Sequence, residues 1–269
     1  IIMHRVSLIN NTRSKYWEDL GFQVYSNKSG SITEAGRWVV CINSLWRFHG
    51  LGNYDLVVID EIPEVLKCLT QSSTKKASWI NEKLRKVLTE TKNIVIMSAD
   101  LGEIERNYLT QVGVDDIHWQ RNKAQTLQDY TYEFSHYEKK DDQYTQIFEA
   151  LNDGKNIVIG FCENGDLQKL EDILKLKYPD KSMVVIHGKM SETARKEAIA
   201  KAVDMGVNIL MYTSSCDCGN SFDQIDHYYN VFFFLKDRSI DAKQIMQMVH
   251  RTRHLMQKRV VFICDAMVK

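Results

Sequence analysis

The chain has no net charge of either sign: 35 basic side chains balance 35 acidic ones across 269 residues. Global electrostatics therefore points to neither a polyanion nor a membrane surface as partner, although a local basic cleft fits a neutral total. Also missing is any apolar run near the ~18 residues of a membrane-spanning helix, so no membrane is expected among the partners. The longest candidate, Val231–Leu235, reads as a buried strand. No signal-peptide pattern opens the chain, which starts Ile1-Ile2 without an initiator Met. Part of a larger protein is expected to precede it. Fixed-period repeats and low-complexity segments are absent too. The second cysteine pair that would complete a zinc site with Cys216-x-Cys218 does not exist. The other cysteines, Cys41, Cys68, Cys162 and Cys264, lie mostly in or beside apolar runs, where a free thiol behaves as a small hydrophobe. A chain this long does not need disulfides, so an intracellular, reducing compartment is expected.

What is present is an alternation of short apolar runs with longer amphipathic stretches. The runs Val39–Ile42, Leu56–Ile59, Ile94–Met97, Ile157–Phe161, Met183–Ile186, Ile209–Tyr212, Val231–Leu235 and Val260–Ile263 read as strands. Uninterrupted apolarity over so few residues suits strands covered on both faces, as in a parallel sheet. Helical patterns lie between them, notably Leu167–Leu176, Ser191–Met205 and Asp241–His250; Ser191 followed by Glu192 suits a helix start. The alternation predicts an α/β fold with parallel sheets. His136–Gln143 is polar and lacks an apolar face, which predicts a linker between lobes at 1–137 and 144–269.

The sharpest local signal is Tyr54–Glu64, where an apolar strand ends in Asp60-Glu61. Open parallel sheets place their ligand sites at the carboxyl ends of strands, so this strand delivers two acids to that edge. In a nucleotide hydrolase the first acid holds Mg²⁺ through water and the second accepts a proton from the attacking water. Acids after a strand also simply begin solvated loops, and the motif alone leaves that open. A phosphate-binding loop of the form G-x-x-x-x-G-K-[ST] does not occur. Gly154-Lys155 is followed by Asn156 and has Glu149 at the first glycine position; Gly188-Lys189 is followed by Met190 and has Met183 there. Without that loop this stretch alone should bind ATP poorly.

Taken in order, the segments resemble the motifs of superfamily 2 helicases, and most closely the origin-of-replication-binding helicases of herpesvirus type. Met3–Leu8, through His4, Arg5, Ser7 and Leu8, resembles motif Ia. Val40–Leu45 resembles the next nucleic-acid-facing motif, with Ser44 in place. Asp60-Glu61 is similar to motif II, and Met97–Asp100 to motif III with an acidic last position. Asn156–Cys162 resembles motif IV, and Val185–Lys189 the strand and loop that follow it. Tyr212–Phe222 resembles motif V through Thr213 and Gly219. Gln247–Arg253 resembles motif VI, with His250 where the family usually has glycine and with its two arginines closely spaced.

The resemblance implies two RecA-like lobes with mainly parallel sheets, the first incomplete at its N-terminus, and ATP with Mg²⁺ bound in the cleft. Asp60 (for the metal), Glu61 and Gly219 would serve the nucleotide. Arg251 and Arg253 would stabilise charge on the transferring phosphoryl group, with Gln247 beside the nucleotide. Ser98 and Asp100 would couple that site to the lobe interface. His4, Arg5, Ser44, His187, Lys189 and Thr213 would contact a DNA strand through its backbone. The implied activity is that of an ATP-dependent helicase or translocase of replication-origin-binding type, with other replication proteins as further partners. Two other readings stand beside it. One is a catalytically silent RecA-like module that binds nucleic acid or a partner. The other is an unrelated Mg²⁺-dependent phosphohydrolase using Asp60-Glu61, which needs further acids at neighbouring strand ends, Asp100 being the most obvious.

Overall fold

A computed structural model describes the chain except for residues 5–8, 10–13, 34–35, 50–53, 71–73, 100, 115, 122–126, 128, 138–139, 215–220, 237–239 and 265–269. It contains two compact units, Ile1–Asn122 and Lys123–Lys269. Each is an α/β domain whose described strand pairings are all parallel.

The first unit runs β1 (Ile2–Met3), α1 (Ser14–Asp19), β2 (Gln23–Val24), β3 (Trp38–Cys41), β4 (Val57–Asp60), α2 (Ile62–Thr70), α3 (Ala77–Glu90), β5 (Ile94–Met97) and α4 (Glu103–Val112). Its sheet has the order β2-β3-β1-β4-β5. Helix α3 buries Ile80, Leu84, Val87 and Leu88, the one-sided spacing of an amphipathic helix, in a core shared with Val39, Ile42, Leu45 and Ile59. Helix α4 stops at Gly113, whose φ of +92° lets its N–H return to the carbonyls of Leu109 and Thr110.

The second unit runs β6 (Thr131–His136), α5 (Thr145–Asn152), β7 (Ile157–Phe161), α6 (Asn164–Lys177), β8 (Met183–Ile186), α7 (Glu192–Met205), β9 (Ile209–Thr213), β10 (Val231–Leu235), α8 (Ala242–Val249) and β11 (Arg259–Cys264). Its sheet has the order β6-β11-β10-β7-β9-β8. Side chains along its strands alternate between two cores, as pleating requires. Ile157, Ile159, Phe161, Ile209, Met211, Phe232 and Phe234 join Leu167, Leu170 and Leu174 of α6. Val158, Leu210, Tyr212, Val231 and Phe233 join Met248 and Val249 of α8. The apolar runs are continuous because both faces of this sheet are covered. Two helix starts are capped as their residue types suggest: Ser191 Oγ accepts from the Ala194 N–H at 3.2 Å, and Asp241 Oδ1 from the Gln244 N–H at 2.7 Å.

The expected linker at 136–143 is corrected. Thr131–His136 is a strand in full register with Arg259–Cys264, so it belongs to the second sheet and the division lies ahead of it. Glu133 secures this edge by accepting from Arg259 Nε at 3.2 Å, and the guanidinium holds the Glu133 carboxyl below its ordinary pKa.

Gly160 lies in register with Phe233 on one side and Tyr212 on the other. A methyl group there would come within 2.6 Å of Phe233 Cε2, with Cδ2 closer still. Gly160→Ala is therefore expected to destabilise the second unit by about 1–3 kcal/mol, read as a lower urea midpoint. An unchanged midpoint would show that the Phe233 ring can move aside freely.

Candidate functional site

Asp60 is the last residue of β4 and is half-buried, in register with Met97 of the neighbouring β5. Burial pushes its pKa above the ordinary carboxylate value, while a hydrogen bond from the Glu61 backbone partly opposes that rise. The chain then turns sharply. Glu61 has φ of +54°, a left-handed conformation that costs a non-glycine residue roughly 1–2 kcal/mol. The turn is held on both sides. The Glu61 N–H donates to the Met97 carbonyl at 2.8 Å, and its own carbonyl accepts from Glu64 and Val65 at 3.0 and 3.1 Å, which starts α2. Its side chain is held as well: Ser98 Oγ donates to Glu61 Oε2 at 2.7 Å. Three residues expected at the site, Asp60, Glu61 and Ser98, are thus brought together by the pairing of β4 with β5. Asp100 lies outside the described residues.

A desolvated carboxylate at a strand end gains from a nearby cation, and Asp60 has the chemistry to hold Mg²⁺ through water. Among the described residues no group of three or more His, Cys, Asp or Glu could enclose a metal. The strands flanking β4 end in Met3 and Met97, and Asp100, the further acid expected on the phosphohydrolase reading, lies outside the described residues.

In the second unit the motif-VI segment is the C-terminal end of α8 and the turn after it. The Arg251 N–H donates to the Met248 carbonyl at 3.1 Å, and the Arg251 carbonyl accepts from the Phe222 N–H at 2.8 Å. Phe222 also bridges Thr252, so the exit of the motif-V segment is stitched to the two arginines. Three tyrosines pin the same turn. Tyr212 donates to the Met248 carbonyl at 2.7 Å, Tyr130 donates to the Arg253 carbonyl at 3.0 Å, and Tyr132 shares a 2.8 Å hydrogen bond with His250 Nε2. The His250 ring meets the Tyr130 and Tyr132 rings edge-on. Arg251 and Gln247 are half-buried; Arg253 is exposed, its Nε 3.8 Å from Asp223 Oδ1. Tyr130 and Tyr132 were not singled out from sequence, and His250 was noted without a role. The only signal was His250 itself, in a place where the resembling proteins carry glycine.

The proposed nucleic-acid contacts divide. Ser44 is half-buried in the 3₁₀ turn Ile42–Arg47, beside the Tyr25 phenol. His187 and Lys189 form a tight turn after β8, with the Lys189 N–H 3.3 Å from His187 Nδ1, and Lys189 is exposed. His4 and Thr213 are buried, at 2% and 5% exposure. The His4 carbonyl receives the thiols of Cys41 and Cys68 at 3.5 and 3.9 Å. Arg5, Gly219, Cys216 and Cys218 lie outside the described residues. No helix among those described is long and apolar enough to cross a membrane.

Comparison with known proteins adds to this geometry. Residues 4–118 match the origin of replication binding protein family, and residues 139–255 match the helicase conserved C-terminal domain. The replication origin-binding protein of human herpesvirus 7 (strain JI) is 21% identical over 266 residues, covering 92% of this chain and 32% of that protein. The chain thus spans about a third of the length of that curated relative. Among solved structures, S. cerevisiae Dbp5 bound to RNA and ADP BeF3 has a TM-score of 0.65 at 15% identity, covering 100% of this chain and 71% of Dbp5. Mycobacterium smegmatis helicase Lhr bound to ssDNA and AMP-PNP has a TM-score of 0.55 at 14% identity, covering 98% of this chain and 39% of Lhr. At such identities these structures establish the fold: two parallel-sheet α/β domains like RecA-like helicase lobes.

Burial lowers the His250 pKa below its ordinary 6.5. The folded state therefore resists a proton that the unfolded chain accepts. The stability this gives is complete above the ordinary value and is lost as pH falls through the lower folded value. Urea midpoints of the wild type are expected to fall more steeply than those of His250→Gln between about pH 7 and pH 5. Parallel slopes would show that His250 titrates as it does in solvent.

Proposed function

We propose that the chain, whose first unit matches the origin of replication binding protein family and whose second matches the helicase conserved C-terminal domain, is the motor core of an ATP-dependent superfamily 2 helicase or translocase acting on DNA at a replication origin. The observation that carries this reading is the bonded set at the end of β4: Asp60 half-buried, Glu61 turned back by its left-handed conformation, and Ser98 Oγ fixing the Glu61 carboxylate at 2.7 Å.

Each of these residues has work to do in phosphoryl transfer. Mg²⁺ held by Asp60 through water would neutralise charge on a triphosphate. Glu61 orients the attacking water and accepts its proton. Ser98 keeps that carboxylate aimed and ties its position to β5, along which a change at the nucleotide reaches the rest of the unit. In the second unit the stitched turn presents Arg251 and Arg253 as rigid, permanently charged donors suited to phosphate oxygens. Gln247, one helical turn earlier, serves the same ligand. Ser44, His187 and Lys189 would hold the DNA backbone, positioning the strand without reading its sequence.

The test is single-strand-stimulated ATP hydrolysis by the full-length protein. Glu61→Gln is expected to lower kcat by at least about 100-fold while DNA binding persists. Ser98→Ala should lose less, because it removes a support rather than the base. Equal turnover in wild type and Glu61→Gln would refute the assigned base. DNA binding with no turnover in the wild type would favour the catalytically silent module.

A further inference from the structure

An exposed aromatic and basic cluster in the first unit has no part in the account above. Lys76 precedes α3 in a left-handed conformation, φ +64°, and its carbonyl accepts from the Ile80 N–H at 3.0 Å. This turn sets the Lys76 ammonium over two indoles. Nζ lies 3.3 Å from the Trp46 ring centroid and 5.4 Å from that of Trp79. Trp46 is half-buried and Trp79 is 59% exposed. Lys75 and Lys76 are exposed next to them. The nearest acid along α3, Glu82, lies one helical turn further from its start.

The fold fixes where this cluster sits. Helix α3 leads into the amino end of β5, so its first turn lies at the carboxyl edge of the first sheet, the edge that carries Asp60 and Glu61. The 3₁₀ turn Ile42–Arg47 leaves the carboxyl end of β3 and holds both Ser44 and Trp46. The cluster therefore adjoins the residue proposed to hold a DNA backbone.

We infer that Trp79, which shares the Lys76 ammonium with Trp46, is a base-stacking platform for single-stranded nucleic acid, with Lys75 and Lys76 taking the adjoining phosphates. An exposed cation–π contact contributes only about 0.5–1 kcal/mol. It steadies the Trp79 ring and leaves much of it open to solvent. A nucleobase offers a flat partner of any sequence, and its phosphate offers the charge that two adjacent lysines complement. The inference rests on the proposed reading of this chain as one that grips nucleic acid, and it adds a site for bases to contacts otherwise made with the backbone.

The test measures binding of the full chain to a fluorescent oligothymidylate and to an abasic oligomer of the same length. Trp79→Ala is expected to weaken oligothymidylate binding about tenfold, whereas Trp79→Phe, which keeps a ring face, stays within about threefold of wild type. Binding of the abasic oligomer should not change in either variant. Oligothymidylate affinity equal in wild type and Trp79→Ala would overturn the platform alone, leaving the cluster to a protein partner. No oligonucleotide binding by the wild type would overturn the underlying reading and the platform with it.

Discussion

Parallel strand pairing is the constraint on which the rest depends. Every strand in such a sheet ends at the same edge, so residues distant in sequence arrive together without any need for local order. In the first unit the register that sets Asp60 against Met97 also brings Ser98 to Glu61. In the second, β7, β9, β10 and β11 run side by side, and at the amino edge of that sheet the turn that feeds β11 carries both arginines. Such sheets persist because both faces are covered, which is why their strands are short, apolar and legible.

Most of the strands that sequence reading found face core on both sides, although Ile94–Met97, also found, leaves Val95 and Met97 exposed. Ile157–Phe161 and Val231–Leu235 were recovered whole, and Val39–Ile42 was displaced by one residue from Trp38–Cys41. Those it missed lack that signature. Ile2–Met3 and Gln23–Val24 are too short to make a run. Thr131–His136 pairs on one side only and mixes exposed with half-buried residues, so it does not read as a strand, and its last residue, His136, reads as the start of a linker. Edge strands must be polar somewhere, and polarity was the linker signal used.

The site was legible in part for the same reason. Acids that terminate a buried strand stand out, and Ser98 follows the next strand directly. Its bond to Glu61 needs the register, which is tertiary information. The burial of His4 and Thr213, polar residues at motif positions, is likewise tertiary information. The link between Tyr132 and His250 spans 118 residues, and only strand β6 beside β11 brings the two together. The net charge of zero similarly hid the basic cluster at Lys75 and Lys76, because a total says nothing about distribution.

On the proposed reading as a motor, the acids come from the first domain and the guanidinium groups from the second. Groups that act on one transition state fail together rather than independently. The most direct measurement is a double-mutant cycle on DNA-stimulated kcat of the full-length protein, using Glu61→Gln, Arg251→Ala with Arg253→Ala, and the combination. The account predicts that the combined variant is scarcely slower than the slower of its two parents. Rate losses that simply multiply would show that the two sets of residues do not serve the same triphosphate.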